Sequence, residues 1–306
     1  MKRYAAIDIG ANTILLLIAQ QTPEGLLQTV MDLETTTRLG EGLMRNRKIN
    51  PHTMQKSIDV IDRFLSLCRD MGVTEVVAIG TSSLREATNR SEFLRRVRGR
   101  CSLEIEIISG QEEARLSYLS VVKDQKWSSG PLVVIDIGGG STEWIYGDSV
   151  GEVRVFSLNI GSVTLTEQFL TSDPVEEGEH QAMASHVGKA LTNIPPLKGN
   201  IPLVGIGGTI TTLFSVQQGL KEFDPSRIHY GLLKLKDIEG QIEQFKNLPL
   251  KERKAIVGLP PERADVIIAG ATILFHSLLR LGSNQIWVSC HGLRYGILFE
   301  RFFKSL

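Results

Sequence analysis

A short motif that occurs twice is the feature that most constrains the fold of this chain. One apolar run ends in Asp-Ile-Gly at residues 8–10, and a second apolar run ends in Asp-Ile-Gly at residues 136–138. Both copies stand at the same place in the order of predicted strands and helices. The repetition predicts a weak internal duplication, in which two domains share one order of elements.

The first half has the pattern of an α/β domain. Apolar periodicity and turn residues predict strands at 4–9, 14–19, 26–33, 75–80 and 103–108, a helix at 51–71, and a helix after each of the last two strands. Two pairs with capping-box spacing, Ser83 with Glu86 and Ser109 with Glu112, predict where those last two helices begin.

The second half repeats this pattern. It is predicted to hold strands at 132–137, 142–146, 152–157, 202–206 and 285–289, and helices at 161–170, 175–192, after Gly208, within 263–282 and within 292–303. The polar stretch 123–131, which ends in Gly and Pro, separates the halves. We therefore predict domains at 1–125 and 126–306, with the terminal helix a candidate for packing back on the first domain.

Composition excludes several classes of function. The 34 Lys and Arg residues balance 34 Asp and Glu residues, so neither a nucleic acid nor a membrane surface is an expected partner. No run reaches the roughly 18 apolar residues of a membrane span. The chain has three cysteines without a C-x-x-C pair, and its six histidines lack metal-ligand spacing. A cytoplasmic protein without disulfides or zinc is expected.

The second Asp-Ile-Gly motif predicts a phosphate-binding turn. Gly138, Gly139 and Gly140 carry no Cβ, so backbone N–H groups can approach an anion closely, and Ser141 and Thr142 add hydroxyl donors. The motif has neither the lysine of a G-x-x-x-x-G-K-[ST] loop nor the spacing of G-x-G-x-x-G. A lone turn of this kind is as often a simple tight hairpin.

Three such turns favour a binding function. The first copy adds Asn12 and Thr13, and a third turn, after the strand at 202–206, adds Gly207, Gly208 and Thr209 at a helix start. Turns that converge at the ends of facing sheets would form a cleft between two domains.

Six stretches together resemble the Ppx/GppA phosphohydrolases, which are exopolyphosphatases and guanosine pentaphosphate phosphatases. They are IDIGANT, GTSSLREATN, ISGQEEARLSYLSV, IDIGGGSTE, GIGGTITT and ERADVIIAGATIL. The resemblance spans nearly the whole chain. It implies two ribonuclease-H-like domains of the actin-like ATPase superfamily, with mixed sheets flanking a cleft, in a short two-domain form without the helical HD-like domain of longer members.

The resemblance also implies a reaction. The expected enzyme is an exopolyphosphatase-type phosphoanhydride hydrolase that releases the terminal phosphate of inorganic polyphosphate by metal-assisted water attack. Guanosine pentaphosphate, hydrolysed at its 5′ γ-phosphate, is the alternative substrate. The implied cofactor is Mg²⁺ or Mn²⁺, and a homodimer is a candidate assembly. Two rival functions remain open: an ATP-using small-molecule kinase on the same fold, and a non-catalytic sensor of polyphosphate or guanosine alarmones.

Glu113 is the candidate general base. Because Ser109 and Glu112 have capping-box spacing, Glu112 has a structural task and Glu113 is left for chemistry. Glu113 also matches the proposed base of the family. The alternative is a solvated glutamate in the first turn of a helix, where the helix dipole favours it.

Carboxylates near the turns are the candidate metal ligands. Asp136, Glu143 and, by analogy between the motif copies, Asp8 offer the oxygen ligands that Mg²⁺ prefers. In the family, positions matching these handle metal and water, so Glu143 is also a catalytic candidate. Its alternative is a strand residue that faces solvent.

Two arginines are candidate phosphate ligands. Arg85 presents a fork-shaped cation that lysine does not reproduce, and the matching family arginine binds phosphate. The alternative for Arg85 is an exposed helical arginine paired with Glu86 or Asn89. Arg38 matches another family cation near the cleft.

Two features are left open. The arginines within 90–100 favour a solvated helix face, with a basic track for polyphosphate as the alternative. Cys290 and Tyr295 stand where the family usually has Asp and Glu, which puts in doubt any contact that those positions make to metal, water or the facing domain.

Overall fold

The computed structural model describes residues 1–23, 26–128, 130–147, 153–197, 199 and 201–303. The chain divides into two compact units. Unit 1 comprises Met1–Ser128 together with His291–Leu306, and unit 2 comprises Ser129–Cys290. The sequence-based assignment placed 126–128 and 291–306 in the second domain, with the terminal helix as a candidate for packing back on the first; in the structure that helix belongs to unit 1.

Unit 1 is built on a mixed sheet. Its strands are β1 (Arg3–Ile9), β2 (Thr13–Gln21), β3 (Leu27–Thr36), β4 (Val73–Gly80) and β5 (Ile105–Ile107). Its helices are α1 (Leu43–Asn46), α2 (Pro51–Asp70), α3 (Ser82–Glu86), α4 (Arg90–Cys101), α5 (Gly110–Val122) and, from the end of the chain, α13 (Leu293–Phe302). The strand order is β3-β2-β1-β4-β5, where β1 pairs antiparallel with β2 and parallel with β4.

Unit 2 is built the same way. Its strands are β6 (Leu132–Ile137), β7 (Thr142–Gly147), β8 (Arg154–Leu158), β9 (Leu203–Ile206), β10 (Leu232–Lys234) and β11 (Gln285–Val288). Its helices are α6 (Ser162–Phe169), α7 (Glu177–Ala190), α8 (Gly208–Gln217), α9 (Pro225–Ile228), α10 (Leu235–Lys246), α11 (Leu250–Arg253) and α12 (Ile267–Leu281).

The two sheets share one topology. In unit 2 the order is β8-β7-β6-β9-β11, with β10 added at the edge beside β11. As in unit 1, the first strand pairs antiparallel with the second and parallel with the fourth. The predicted α/β fold with a duplicated strand order is therefore confirmed.

Strand alternation decides which face of each sheet carries the motif aspartate. In β1, Ile7 and Ile9 enter the core with α2 and α4, whereas Ala6 faces a second core that contains α13. In β6, Ile135 and Ile137 enter the main core of unit 2. Because side chains alternate along a strand, Asp8 and Asp136 lie on the opposite face from these isoleucines.

One predicted helix start is wrong. Helix α3 has Thr81 as its N-cap with no side-chain cap hydrogen bond, and Ser83 is buried inside this one-turn helix. The predicted pair of Ser83 with Glu86 is therefore not a capping box, since the N-cap of the helix lies two residues earlier, at Thr81. The strand predicted at 103–108 is also shorter, at Ile105–Ile107. Residue 152, the first residue of the strand predicted at 152–157, lies outside the described residues.

Across the described ranges of the chain, we find no helix with both the length and the apolar composition required to cross a bilayer.

Candidate active site

Both Asp-Ile-Gly motifs end in the same backbone turn. In unit 1 the N–H of Gly10 donates to the carbonyl of Thr13 at 3.1 Å, and in unit 2 the N–H of Gly138 donates to the carbonyl of Ser141 at 2.9 Å. Each bond closes the hairpin between the first two strands of its sheet. The two motif copies thus share local geometry as well as sequence.

The turn of unit 1 is held by the segment after β3. The carbonyl of Asn12 accepts from the N–H groups of Thr37 and Arg38 at 3.0 and 2.9 Å, and the N–H of Gly40 donates to Ala11 at 2.8 Å. Arg38 has a positive φ of 57°. The structure therefore places Arg38 beside Asn12 and Thr13, the candidate phosphate ligands of this turn.

The turn of unit 2 is held in the corresponding way, by the segment after β8. Ser162 donates its N–H to the carbonyl of Gly138, and Val163 donates to that of Gly139. Gly161 lies directly against the backbone of Gly139 and Gly140, where a side chain would not fit.

Arg85 and Glu113 form an ion pair. Nη1 of Arg85 lies 2.6 Å from Oε2 of Glu113 and also donates to the carbonyl of Ile108 at 3.1 Å. The two side chains are 24% and 14% exposed. Burial raises the pKa of the Glu113 carboxyl above its ordinary value, and the positive charge of Arg85 opposes that shift. Arg85 is thus paired with Glu113 and not with Glu86 or Asn89.

The neighbouring Glu112 has a different environment. The hydroxyl of Ser109 accepts from the N–H of Glu112 at 3.1 Å, so Ser109 is the N-cap of α5. The Glu112 carboxylate accepts two hydrogen bonds from Arg115, both at 2.9 Å. Those bonds lower the pKa of the Glu112 carboxyl. The two adjacent glutamates therefore differ in charge environment, since Glu112 contacts Arg115 and Glu113 contacts Arg85.

The segment that departs from the family pattern anchors α13 in unit 1. Arg294 donates two hydrogen bonds to Asp32, at 2.8 and 2.7 Å, and the Tyr295 hydroxyl lies 3.1 Å from Thr29. Burial disfavours the charge of Arg294, but Asp32 and, less strongly, Asp8 raise its pKa above the ordinary value. Burial and Asp32 raise the pKa of Tyr295 to about 12. Tyr295 therefore supports the helix on the sheet face that carries Asp8.

Cys290, the other departure, ends unit 2. Its side chain is buried, and its N–H donates to Nδ1 of His229 at 3.1 Å. Cys290 is therefore a packed residue just after β11.

Asp136, Glu143 and Ser157 form a row across three strands of unit 2. Asp136 of β6 pairs with Glu143 of β7, and Glu143 pairs with Ser157 of β8. Directly paired residues in an antiparallel sheet point to the same face. Glu143 is 2% exposed, and the Ser157 hydroxyl donates to its Oε1 at 2.8 Å. Glu143 is therefore buried and does not face open solvent.

The third glycine turn lies against the Asp136 carboxylate. Gly207 has a φ of 90°, and a Cβ at this position would lie 3.0 Å from Oδ1 of Asp136. The next residue, Gly208, starts α8 and lies against the guanidinium of Arg263, which is buried. Sequence analysis missed Arg263 as a site residue, although it lies within the quoted stretch ERADVIIAGATIL.

Two predicted phosphate ligands have other partners. The hydroxyl of Thr142 donates to the carbonyl of Ile160 at 2.6 Å, and this residue is fully buried. The hydroxyl of Thr209 lies against Gly270 of α12, 2.6 Å from where a Cβ would stand. Both side chains are buried, and each contacts a residue outside its glycine turn.

The residues of unit 2 fit a hard divalent cation. Asp136 and Glu143 place two carboxylates opposite each other in neighbouring strands, and Gly207 leaves the space beside Asp136 free of a Cβ. Carboxylate oxygens are the donors that Mg²⁺ and Mn²⁺ prefer. Asp8 occupies the corresponding position in unit 1, where Arg294 balances part of its charge.

The arginines of α4 mostly pair with acids on the surface. Arg98 contacts Glu104 at 2.5 Å, and Arg100 contacts Asp59 and Asp62 at 2.5 and 3.0 Å. Arg96 binds Gln55. The pairing favours the solvated-face interpretation over a basic track.

Comparisons of the sequence with known proteins identify relatives over nearly the whole chain. The sequence profile described as the Ppx/GppA phosphatase family matches residues 17–304. Exopolyphosphatase 2 of Mycobacterium tuberculosis is 31% identical over 97% of this chain and 98% of its own length. A guanosine-5′-triphosphate,3′-diphosphate pyrophosphatase of Photobacterium profundum is 30% identical over 98% of this chain.

The relatives differ in length. The chain covers 59% of the Photobacterium protein and 46% of a bifunctional 3-dehydroquinate synthase/phosphatase of Fusobacterium nucleatum, which is 31% identical. The chain thus spans about half the length of some relatives and nearly all of others.

Solved structures show the same fold. The crystal structure of the Aquifex aeolicus Ppx/GppA family member is 34% identical, has a TM-score of 0.83, and covers 99% of this chain and 98% of its own. An exopolyphosphatase from Cytophaga hutchinsonii is 26% identical with a TM-score of 0.89, over 100% and 99% of the two chains. The predicted α/β fold, with two units that are each built on a mixed sheet, is confirmed, and the solved Ppx/GppA structures share it.

A profile match over most of the sequence, full-length relatives and shared topology lead to one assignment: this chain belongs to the Ppx/GppA phosphatase family.

Proposed function

We propose that this protein hydrolyses a terminal phosphoanhydride bond, with inorganic polyphosphate as the substrate. The observation that carries the proposal is the 2.6 Å contact between Arg85 and Glu113. A phosphate oxygen bound by Arg85 comes within reach of Glu113, so one side chain binds the phosphoryl group while the other accepts a proton from the attacking water.

The environment of Glu113 suits a general base. Burial raises its pKa, and a carboxylate with a raised pKa accepts a proton more readily from water. Arg85 contributes a planar cation that can contact two phosphate oxygens at once. When a phosphate oxygen also binds Arg85, the positive charge of Arg85 is shared between the phosphate and Glu113. Arg85 then lowers the pKa of Glu113 less, and Glu113 is a stronger base than in the free enzyme.

The glycine turns supply backbone donors for phosphate oxygens. N–H groups of the turns at 10–13 and 138–141, with the Ser141 hydroxyl and the start of α8, are suited to a polyanion because no Cβ blocks the approach to the glycines. Arg38 and Arg263 add positive charge beside the turn of unit 1 and the third turn.

A divalent cation completes the proposal. Mg²⁺ or Mn²⁺ held by Asp136 and Glu143 of unit 2 would supply a Lewis acid that neutralises charge on the transferred phosphoryl group. Asp8 is the corresponding candidate ligand in unit 1. The roles of the protein are to fix both carboxylates in register and to keep Gly207 clear of Asp136.

Polyphosphate is preferred because the full-length relative is named an exopolyphosphatase. This chain covers 98% of that protein but 59% of the guanosine pentaphosphate enzyme. Guanosine pentaphosphate is the second candidate substrate, since its terminal phosphoanhydride presents the same chemistry.

The test measures phosphate release from long-chain polyphosphate and, separately, from guanosine pentaphosphate, with Mg²⁺ or with EDTA. We expect Glu113→Gln to reduce turnover by roughly 10²- to 10⁴-fold while binding is largely kept. The matched control is Glu112→Gln, which removes the neighbouring carboxylate and its contact with Arg115. Near-normal turnover of Glu113→Gln would remove Glu113 from the mechanism.

The same assay separates the rival functions. A kinase on this fold would consume ATP only with an acceptor and release little phosphate from polyphosphate. A sensor would bind polyphosphate or the alarmone without turnover. Metal-dependent release that Glu113→Gln abolishes would reject both rivals.

A further inference from the structure

We propose that Ser157 is a positioning residue for the hydrolysis, because its hydroxyl fixes the carboxylate of Glu143. The inference rests on the proposed function, in which Glu143 is a candidate ligand of the metal. Sequence analysis attached no role to Ser157, which lies in β8 at the edge of the sheet in unit 2.

Register brings Ser157 to Glu143. The pairing of β7 with β8 sets Glu143 directly opposite Ser157, and the pairing of β6 with β7 sets Asp136 opposite Glu143. The three side chains therefore leave the sheet on one face, in the order Asp136, Glu143, Ser157. A shift of one residue in β8 would turn Ser157 to the other face, so the contact depends on the strand register.

The contact is a hydrogen bond from a hydroxyl to a buried carboxyl group. Ser157 Oγ donates to Glu143 Oε1 at 2.8 Å. Glu143 is 2% exposed, whereas Ser157 is exposed at the sheet edge. A hydrogen bond to an ionised carboxylate is stronger than one between neutral groups, and burial of the acceptor reduces competition from water.

A fixed Oε1 sets the direction of Oε2. The carboxylate can rotate about its last torsion, which is broad in the absence of contacts. A hydroxyl bound to one oxygen restricts that rotation and so orients the other oxygen. Residues that orient the ligands of a catalytic metal change metal affinity and turnover even though they touch neither metal nor substrate.

A structural role for Ser157 would have different effects. If the hydroxyl only stabilised the edge strand, its loss would lower thermal stability and leave metal affinity unchanged. The two roles therefore separate in an experiment that measures melting temperature, Mn²⁺ affinity, and kcat apart from KM.

The experiment compares wild type with Ser157→Ala and Ser157→Thr. Threonine keeps the hydroxyl and favours a strand. The control is Ser283→Ala, which removes a hydroxyl of the same unit that donates to the backbone carbonyl of Gln285. Each protein is assayed for phosphate release from polyphosphate, for Mn²⁺ binding by electron paramagnetic resonance without substrate, and for its melting temperature.

We expect Ser157→Ala to weaken Mn²⁺ binding and lower kcat, each by roughly 10-fold or more, with KM for polyphosphate and the melting temperature little changed. Ser157→Thr should keep most of the wild-type Mn²⁺ affinity and kcat. Ser283→Ala should match wild type in Mn²⁺ affinity and kcat.

Three results would reject the inference. Wild-type Mn²⁺ affinity and kcat in Ser157→Ala would overturn the role of Ser157 and leave the proposed function standing. A fall in melting temperature with unchanged Mn²⁺ affinity in Ser157→Ala would assign Ser157 to strand stability. No phosphate release by wild type from either substrate would overturn the proposed function itself, and the role of Ser157 with it.

Discussion

The pair formed by Arg85 and Glu113 controls how the proposed base responds to pH. Burial pushes the pKa of Glu113 upward, and the guanidinium 2.6 Å away pulls it down. The base form is required for turnover, so activity falls as pH decreases through the pKa of Glu113. Because that pKa is raised, the acid limb should lie at higher pH than an ordinary glutamate would give.

The first prediction concerns this limb. In Arg85→Gln the opposing positive charge is lost, so the pKa of Glu113 should rise further and the acid limb of kcat should move to higher pH. The measurement is a profile of kcat against pH for both proteins. In Arg98→Gln, which changes an exposed arginine of α4, the limb should not move. A limb in Arg85→Gln at the same pH as wild type would show that Arg85 does not act on the base.

The second prediction concerns Gly207. An alanine there would adopt a strained φ of 90° and bring its Cβ to 3.0 Å from Oδ1 of Asp136. We expect Gly207→Ala to lower Mg²⁺-dependent turnover by roughly 10- to 100-fold, since a small displacement of a catalytic group is costly. The strain itself should cost about 1–3 kcal/mol in the free energy of unfolding.

The control for Gly207 is Gly219. It also has a positive φ, 61°, but nothing lies within 4 Å of where its Cβ would be. Gly219→Ala should therefore cost stability without the loss of turnover. Equal turnover in the two variants would mean that the position of the Asp136 carboxylate does not depend on a glycine at residue 207.

At the scale of elements, the sequence was informative wherever local chemistry determines structure. The capping spacing of Ser109 distinguished Glu112 from Glu113, and the structure gives these residues different partners. The contacts of Thr142 with Ile160 and of Thr209 with Gly270 were not predicted, because the packing around a side chain involves residues far away in sequence. Arg263 was missed for the same reason.

Helix α4 gives the third prediction. Arg98 and Arg100 are exposed and paired with Glu104, Asp59 and Asp62, so they have partners other than a substrate. We expect the double variant Arg98→Ala/Arg100→Ala to keep KM for polyphosphate, and its dependence on salt, within about twofold of wild type. Arg85→Lys serves as the positive comparison, because loss of the fork geometry should raise KM.

A weaker salt dependence of KM in the α4 double variant would contradict this interpretation. It would mean that these arginines release counterions on binding polyphosphate, and would make α4 part of a basic track.

At the scale of the whole molecule, the last helix belongs to the first unit. Helix α13 packs on β1 and α5 through apolar side chains, and Gly296 lies directly against the backbone carbonyl of Leu116 in α5. Because α5 also carries Glu113 in its first turn, the packing of α13 supports the position of the proposed base. Sequence analysis gave the terminal helix as a candidate for packing back on the first domain, and the structure shows that packing.

The fourth prediction tests this packing. A Cβ at Gly296 would overlap the Leu116 carbonyl, so Gly296→Ala should cost about 1–3 kcal/mol in the free energy of unfolding. Hydrogen exchange should increase in α5, α13 and β1. The control is Gly99→Ala in the exposed part of α4, where nothing lies within 4 Å, and which should be neutral or stabilising. Unchanged exchange in α5 would show that the two helices are not tightly coupled.

The division of unit 1 into two chain segments has a consequence for biosynthesis. The ribosome makes residues 1–128, then all of unit 2, and only afterwards α13. The apolar surface of Ala6, Leu17 and Ile79 that α13 covers therefore emerges long before its cover. Unit 2 can fold before unit 1 is complete. The contact of α13 with the rest of unit 1 joins residues far apart in the sequence, and contacts of this kind slow folding. Until α13 is released, this apolar surface of the nascent chain lacks the helix that covers it in the folded unit.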